Sequence, residues 1–598
     1  MSNAYIDQFP AEAKVIRAAF YSSFFALALG GVFGIIQTLH RTGYYRFIDS
    51  ADYYTVLTAH GVFLVISFTI FFLVGIFTWA ITTSLDRGVE DLRFTWGWYG
   101  LMAVGITLTG VAILAGFTDA TDISASVLFT FYAPLQAHPL FYLGLVLFVV
   151  GTWFAGVDWF RSWWAWKAEN PDERIPLPAF MVLTTMLMWY IATLGVAAAI
   201  LLFLLPWSLG LIESVNPLLT RTLFWFFGHP VVYFWLMPAY MMWYVLLPKI
   251  SGGKLFSDPL ARVVFVLFLI LSVPTGIHHQ YLDPGIAEGF KFIAMTNTMF
   301  LLLPSLLTAF TVVASMEHGA RQRGGEGYLG WLKALPWRDP VFAGMALAGL
   351  MFAAAGFSGM INAGMNINYL VHNTFWVVGH FHLTVGTAVA LTFMAVTYWF
   401  LPQVTGKQLW SRSVALGQVV LWFVGMTFMS NAMHRGGLLG IPRRTAEPQY
   451  DGFEFEAAVG SVAELDAQIA LGGVLLTLSL VLFFANVVGT ALNGRSDDLP
   501  DNSYAGTLSG PEDAPQILDN LKLWTAIAVV LVIFAYTFPL LSIIDRGGLF
   551  GPELVELPLS TLDLESISAL ALAVEQSTIA TLETTADTAT AVIAGVIP

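Results

Sequence analysis

Uninterrupted apolar runs, each about the 20 residues a helix needs to cross a hydrocarbon core, recur along the chain from residue 15 to residue 544. They read as thirteen segments: 15–38, 54–82, 95–117, 138–163, 178–205, 222–247, 261–282, 291–315, 339–361, 372–401, 413–432, 466–492 and 523–544. Only helices and closed β-barrels satisfy every backbone group in lipid, and runs of this length without period-two alternation are helical. The pattern therefore predicts an all-α, polytopic membrane bundle of about thirteen transmembrane helices. It occupies residues 1–545, with no internal repeat. The polar stretches between runs, the longest at 433–465 and 493–522, read as loops of one bundle because they are rich in Gly, Pro and charge.

Composition strengthens this reading. The chain is 57% hydrophobic and only 11% charged, against about 25% charged in soluble proteins. Cytoplasmic loops carry the excess of Lys and Arg. A cytoplasmic N-terminus puts eighteen basic residues inside and eight outside, so that orientation is predicted. An odd number of spans sends the C-terminus outside. The leader before the first run is polar and acidic, without a basic n-region and small-residue cleavage site, so the first helix is expected to be retained. The chain carries a net charge of −14, and residues 546–598 contain seven acids and, after Arg546, no base. This tail is read as an outer segment, mobile or covered by a partner. The lipid bilayer is the expected surroundings, and nothing in the charge pattern suggests nucleic acid. The chain has no cysteine, which excludes disulfides, thiolate metal sites and covalent haem attachment through a CxxCH motif.

Six of the eleven histidines fall inside the proposed spans, beyond His138 and His372, which stand at the very first position of theirs: His60, His229, His278, His279, His380 and His382. Ionisable residues within a membrane are costly and mark functional sites. A topology fixed without reference to histidine places all six in the outer half of the bilayer, which suits one metal layer. His380 and His382, in VGHFH, point to nearly opposite faces of a helix that turns about 100° per residue, so one helix can serve two sites. His278 and His279, in VPTGIHHQ, are adjacent and need a local distortion to act together. Pro274 and Gly276 can supply it. Imidazoles without thiolate or carboxylate favour iron or copper over magnesium or calcium. Six ligands divide naturally into a bis-histidine haem iron, a five-coordinate haem iron and a three-histidine copper.

On these motifs and their order the sequence resembles subunit I of the haem–copper oxygen reductases, specifically the B family, over about residues 15–545. The resemblance implies that His60 and His382 bind a low-spin haem, of b type, and that His380 binds a high-spin haem, of a type. It further implies that His229, His278 and His279 bind the one copper ion of the active site. His229 and Tyr233, in GHPVVYFWLMPAY, are implied to be covalently linked, and their i, i+4 spacing places both rings on one helix face. A redox-active Tyr233 could supply an electron and a proton to O–O cleavage.

A-family relatives carry a glutamate just after the His-Pro pair, where this chain has Val231 and Val232, so another proton route is expected. Tyr233, Tyr240 and Tyr244 share a helix face and step towards the cytoplasm. Ser305, Thr308 and Thr311 do the same on the eighth helix at spacings of three. Hydroxyls both donate and accept, and the facing stripes resemble the B-family K-type pathway. Arg443 and Arg444, in IPRRTAEP, lie in an outer loop on the side of the metal layer, and paired arginines suit haem propionates. His372, Asn373 and Asp283 are expected at the same rim. Relatives commonly have an aspartate four residues before the equivalent of His372, whereas this chain has Asn368.

The expected function is that of a terminal respiratory oxidase catalytic subunit, reducing dioxygen to water and translocating protons. A nitric oxide reductase of the same superfamily is one alternative, disfavoured by Tyr233 and by the lack of glutamates near the copper histidines. A cofactor-free, proton-coupled transporter is another. A dinuclear copper centre needs cysteine thiolates, so it cannot reside in this chain. The resemblance implies a subunit II that carries it, small accessory membrane subunits, and cytochrome c or a small copper protein as donor, with a quinol as the alternative. The expected location is a prokaryotic plasma membrane.

Overall fold

The computed structural model describes residues 4–446, 461–496 and 498–551. Its architecture is a bundle of long helices, which we number by span. They are α1 (Glu12–Arg41), α2 (Ser50–Leu85), α3 (Leu92–Phe117), α4 (Pro139–Glu169), α5 (Leu177–Ser208), α6 (Pro217–Ser251), α8 (Glu288–Gln322), α9 (Pro340–Ala363), α10 (Phe375–Thr405), α11 (Arg412–Leu438), α12 (Ala463–Leu492) and α13 (Leu521–Gly547). Between α6 and α8, Asp258–Leu271 and Val273–Gln280 form one bent element, α7, with a 54° break. Among the described residues the expected thirteen spans are therefore present as twelve that cross in one direction and one bent by more than 40°. Part of the predicted acidic tail, from residue 552 onward, lies outside the described residues.

The apolar runs set where helices form, and packing sets where they end. The predicted span 413–432 extends in the structure to Leu438, through Arg435, Gly436 and Gly437, which lower hydropathy; Gly437 packs against Trp376 of α10 and Gly436 against Ile441. Helix starts are capped as expected: Asp91, Asn216, Ser257, Asp339 and Ser411 each accept from backbone N–H groups of the first turn. Helices α2, α6 and α10 are the most enclosed, with 89% of their central windows buried, whereas α3, α8, α12 and α13 have 33%. The interior trio carries four of the six membrane histidines.

Loops assigned to the same side of the membrane meet. On the predicted cytoplasmic side, a short parallel pair joins β1 (Leu255–Ser257) to β2 (Thr507–Ser509). There also Arg87 pairs with Glu169, Arg174 with Asp519, and Arg495 with Asp7. The fully buried Arg262 joins Asp258 and Asp519. On the other side Thr374 bridges to Pro442, Arg221 pairs with Asp283, and Arg435 with Glu464. The alternation read from the apolar runs is thus reproduced by contacts that hydropathy does not use.

Candidate metal and cofactor site

His229 stands at a break in α6, where helical residues Pro217–Gly228 give way to Pro230–Val245. Proline lacks the N–H that a continuous helix needs, so Pro230 supplies the break that a purely apolar reading of 222–247 passes over. Across from it, Val273–Gln280 is wound as a 3₁₀ helix beginning with Pro274 at its first turn. Gly276 lies so close to α6 that a Cβ there would stand 2.0 Å from the Trp225 carbonyl oxygen. That approach brings the three rings together, with centroids 4.5 Å apart for His229 and His278, 5.6 Å for His229 and His279, and 4.2 Å for His278 and His279.

The nitrogens of these rings converge within 4.8 Å of one another, and no carboxylate joins the group among the described residues. Nε2 of His229 and of His279 are buried without a hydrogen-bonding partner among the described residues. His278 Nδ1 lies 2.8 Å from Thr298 Oγ1, and that hydroxyl donates to the Ala294 carbonyl at 2.6 Å. The ring must therefore donate from Nδ1, leaving the Nε2 lone pair as its ligand atom. Trp225 stacks on His279, with centroids 3.7 Å apart and planes 10° apart, and fixes its plane. Three neutral imidazoles in a dry wall fit a copper or iron ion and not magnesium or calcium.

His60 and His382 face each other across the bundle with ring centroids 6.4 Å apart and planes 17° apart. His60 Nδ1 is held by the Gly30 carbonyl at 2.9 Å, and His382 Nδ1 by the Val378 carbonyl at 2.8 Å, which leaves both Nε2 atoms for the gap. A metal–imidazole bond of about 2 Å plus a ring half-width of about 1.2 Å on each side requires a spacing of roughly 6.4 Å. The pair fits a single six-coordinate iron. Each of these histidines is followed closely by a wide π-helical segment, Val62–Phe68 and Thr384–Val389, a distortion frequent at functional sites. His380 points the other way from the same helix. Its Nδ1 donates to Ser358 Oγ (2.9 Å) and the Ala355 carbonyl (3.1 Å) of α9, so its Nε2 is left for the interior. A cavity of about 480 Å³ is lined by all six histidines.

Arg443 and Arg444 line the outer end of this cavity. The sequence reading missed two residues beside them, Arg221 and Tyr132: the Arg221 and Arg444 guanidinium groups lie 4.8 and 5.4 Å from the Tyr132 ring centre. Burial, and then the neighbouring Arg444 charge, push Arg443 down to about 9. Asp283 is the carboxylate here and is paired with Arg221 at 3.2 Å. Three guanidinium groups against one carboxylate leave a positive rim that fits two propionate-like anions. Asn373 adopts a left-handed backbone (φ 57°) and accepts from Arg443 through its side-chain oxygen at 2.9 Å. Asp283 and Asn373 are thus both engaged by arginine. His372 meets Asn368 Oδ1 at 3.1 Å.

Tyr233 lies edge-on to His229, with centroids 4.8 Å apart, and Phe268 packs against both Tyr233 and Tyr240. The two hydroxyl stripes meet: Tyr240 donates to Ser305 at 3.3 Å, and the Tyr244 and Thr308 oxygens are 2.6 Å apart. Thr311 is buried one turn further in, bonded to the Leu307 carbonyl. Ser315, not singled out from sequence, continues the line by donating to the Thr311 carbonyl. Its spacing of four from Thr311 was the available signal. Thr298 and Ser358, which orient histidines on other helices, carry no such signal.

Residues 14–475 match the family described as Cytochrome C and Quinol oxidase polypeptide I. The chain is 41% identical to cytochrome c oxidase subunit 1 of Thermus thermophilus over 89% of its own length and 93% of that protein. It is 25% identical to the alternative cytochrome c oxidase subunit 1 of Bradyrhizobium diazoefficiens over 81% of this chain and 83% of that one. Among solved structures, a haem–copper terminal oxidase dimer superposes with a TM-score of 0.84 at 36% identity, covering 95% of this chain and 99% of that one. The chain belongs to the Cytochrome C and Quinol oxidase polypeptide I family, the subunit I class of haem–copper oxidases. It is an oxidoreductase, the catalytic subunit of a membrane-embedded terminal respiratory oxidase, and neither the nitric oxide reductase nor the transporter alternative describes it.

Proposed function

We propose that the six buried histidines divide their work as three sites in one layer. His60 and His382 hold a low-spin haem iron, His380 holds a high-spin haem iron, and His229, His278 and His279 hold a copper ion. The observation that carries this reading is that all six line one cavity, with ring nitrogens left free towards it and no carboxylate in the triad. When bound, the irons and copper supply the electron path and the dioxygen-binding centre for reduction of O₂ by four electrons and four protons to two waters. The protein's part is to fix each ring's tautomer, hold the propionates on Arg443 and Arg444, exclude bulk water and deliver protons. Protons for the chemistry enter from the inner side along Thr311, Thr308, Tyr244, Ser305 and Tyr240 to Tyr233, which sits against His229 as the redox-active phenol and is linked to it covalently.

Val231 and Val232 in place of a glutamate, together with the hydroxyl route through Tyr240, Ser305, Tyr244 and Thr308, support membership of the B family, with a b-type low-spin and an a-type high-spin haem. The absence of cysteine supports electron entry from a separate subunit II that carries a dinuclear copper centre. Its donor is cytochrome c or a small copper protein, and the complex, with its accessory subunits, sits in a prokaryotic plasma membrane. Residues 1–545 form the membrane domain and 546–598 an outer tail. The test is a reduced-minus-oxidised spectrum of the purified complex with and without carbon monoxide, alongside oxygen consumption. Two haem signals, one perturbed by carbon monoxide, with oxygen uptake are expected. A complex without haem bands contradicts the reading.

A further inference from the structure

Helix α10 carries two of the proposed iron ligands, and its first turns are gripped from two sides. On one side Trp376 Nε1 donates to the Ser358 carbonyl of α9 at 3.3 Å. On the other, α10 and α11 approach closely at two glycines, one filled by a ring of α11 and one by the backbone of α10. The His434 ring of α11 sits over Gly379, where a Cβ would stand 2.7 Å from its Nδ1 and 2.9 Å from its Cε1. The Trp376 backbone of α10 passes over Gly437, where a Cβ would stand 2.1 Å from the Trp376 nitrogen. The two rings meet edge to face, 4.6 Å apart at 86°.

The His434 ring cannot swing aside. Its Nδ1 donates to the Ser430 carbonyl one turn back at 2.7 Å, which fixes the ring plane. Its Nε2 is buried with no hydrogen-bond partner among the described residues. Leaving such an acceptor unsatisfied costs about 1–3 kcal/mol, a cost that a phenyl ring of similar size avoids. What the histidine adds over a phenyl ring is the Ser430 anchor of its ring plane. Just beyond the lock the loop after α11 is stitched to the start of α10: Phe375 donates its N–H to the Ile441 carbonyl at 2.8 Å, and Arg443 donates its backbone N–H to the Asn373 carbonyl at 2.9 Å. Gly379 directly precedes His380.

We propose that His434 is a positioning residue for both irons: seated in the Gly379 notch, it sets the placement of α10, and hence of His380 and His382, relative to the Arg443–Arg444 loop. It touches neither cofactor cavity nor substrate and acts through the helix it locks. The inference rests on the reading of His380 and His382 as iron ligands. A shift of ligand placement by a fraction of an ångström to 1 Å is expected to lower turnover roughly tenfold to a hundredfold while the haems stay bound.

The experiment compares Gly379→Ala, His434→Ala, the pair of substitutions together, and His434→Phe in the intact complex, by haem content per chain, reduced-minus-oxidised spectrum and oxygen consumption. Gly379→Ala is expected to keep two haems, to shift and broaden the low-spin band and to lose at least tenfold in turnover. Adding His434→Ala empties the space the new methyl needs, and is expected to return the band towards its wild-type position and to recover most of the turnover. His434→Phe keeps the ring volume without the Ser430 anchor, and is expected to shift the band with both haems retained. A wild-type spectrum and turnover in Gly379→Ala, or a pair no better than Gly379→Ala alone, overturns the proposal. If Gly379→Ala does not assemble, an unshifted band in His434→Phe does so instead. Full haem content in both His380→Ala and His382→Ala removes the underlying ligand reading itself.

Discussion

Replacing Thr308 by valine removes one hydroxyl from the centre of the proposed proton route and almost no volume. The Thr308 hydroxyl donates to the Pro304 carbonyl at 2.9 Å, so in the 2.6 Å contact it is Tyr244 that donates. Both side chains are buried, and valine leaves the Tyr244 phenol with nothing to donate to. An unsatisfied buried group costs about 1–3 kcal/mol. If protons cross this point during turnover, a penalty of that size enters the barrier and slows the step about 5- to 150-fold, at roughly 1.4 kcal/mol per factor of ten. The assay is steady-state oxygen consumption by the purified complex, with haem spectrum and haem content as controls for assembly. Thr296→Val, on the same helix but exposed and bonded only to the Phe292 carbonyl, serves as the neutral comparison. Turnover of Thr308→Val equal to that of Thr296→Val, with both haems bound, refutes the route.

Tyr233→Phe is expected to keep both haems and the copper, since Tyr233 is not among the proposed ligands, and to lose oxygen reduction, as checked by metal analysis beside oxygen uptake. Thr298→Val removes the acceptor that holds the His278 tautomer, and a loss of copper affinity of about 10- to 100-fold is expected, measured by titration with a copper chelator. His372 lies just before the observed α10, outside the membrane-spanning helices, and burial together with Arg443, Arg221 and Arg444 draws it down to about 4 from 6.5. Its folded form resists protonation, so the unfolded chain binds the extra proton between those values. Stability is therefore lost as pH falls from 6.5 towards 4, with no contribution above that window. His372→Gln is expected to shrink the drop in melting temperature between about pH 7.5 and pH 5, and an unchanged drop contradicts this.

The bundle was legible because lipid imposes one rule on every span, an apolar run long enough to cross. All thirteen runs correspond to helices of the structure. The ends were less legible because they are decided by packing: α11 continues through His434 and two glycines that hydropathy discounts, one packed on Trp376 and the other on Ile441. The histidine layer was legible from topology and depth alone, and the VPTGIHHQ distortion from Pro274 and Gly276. The break after Gly228 was not, although Pro230 announces it, because the flanking residues are uniformly apolar. The partners that fix the rings, Gly30 and Val378 carbonyls, Thr298 and Ser358, lie on other turns or other helices and have no local pattern. The positive rim was half legible: the Arg443–Arg444 pair stands out, whereas Arg221 and Tyr132 join it only through the fold.

The central claim is that His229, His278 and His279 hold one copper opposite two haem irons. Metal quantification on the purified complex tests it most directly, comparing the wild type with His278→Ala. Two irons and one copper per chain in the wild type, with the copper alone lost in the variant, is the predicted result. Three irons and no copper in the wild type, or copper fully retained in the variant, would contradict it.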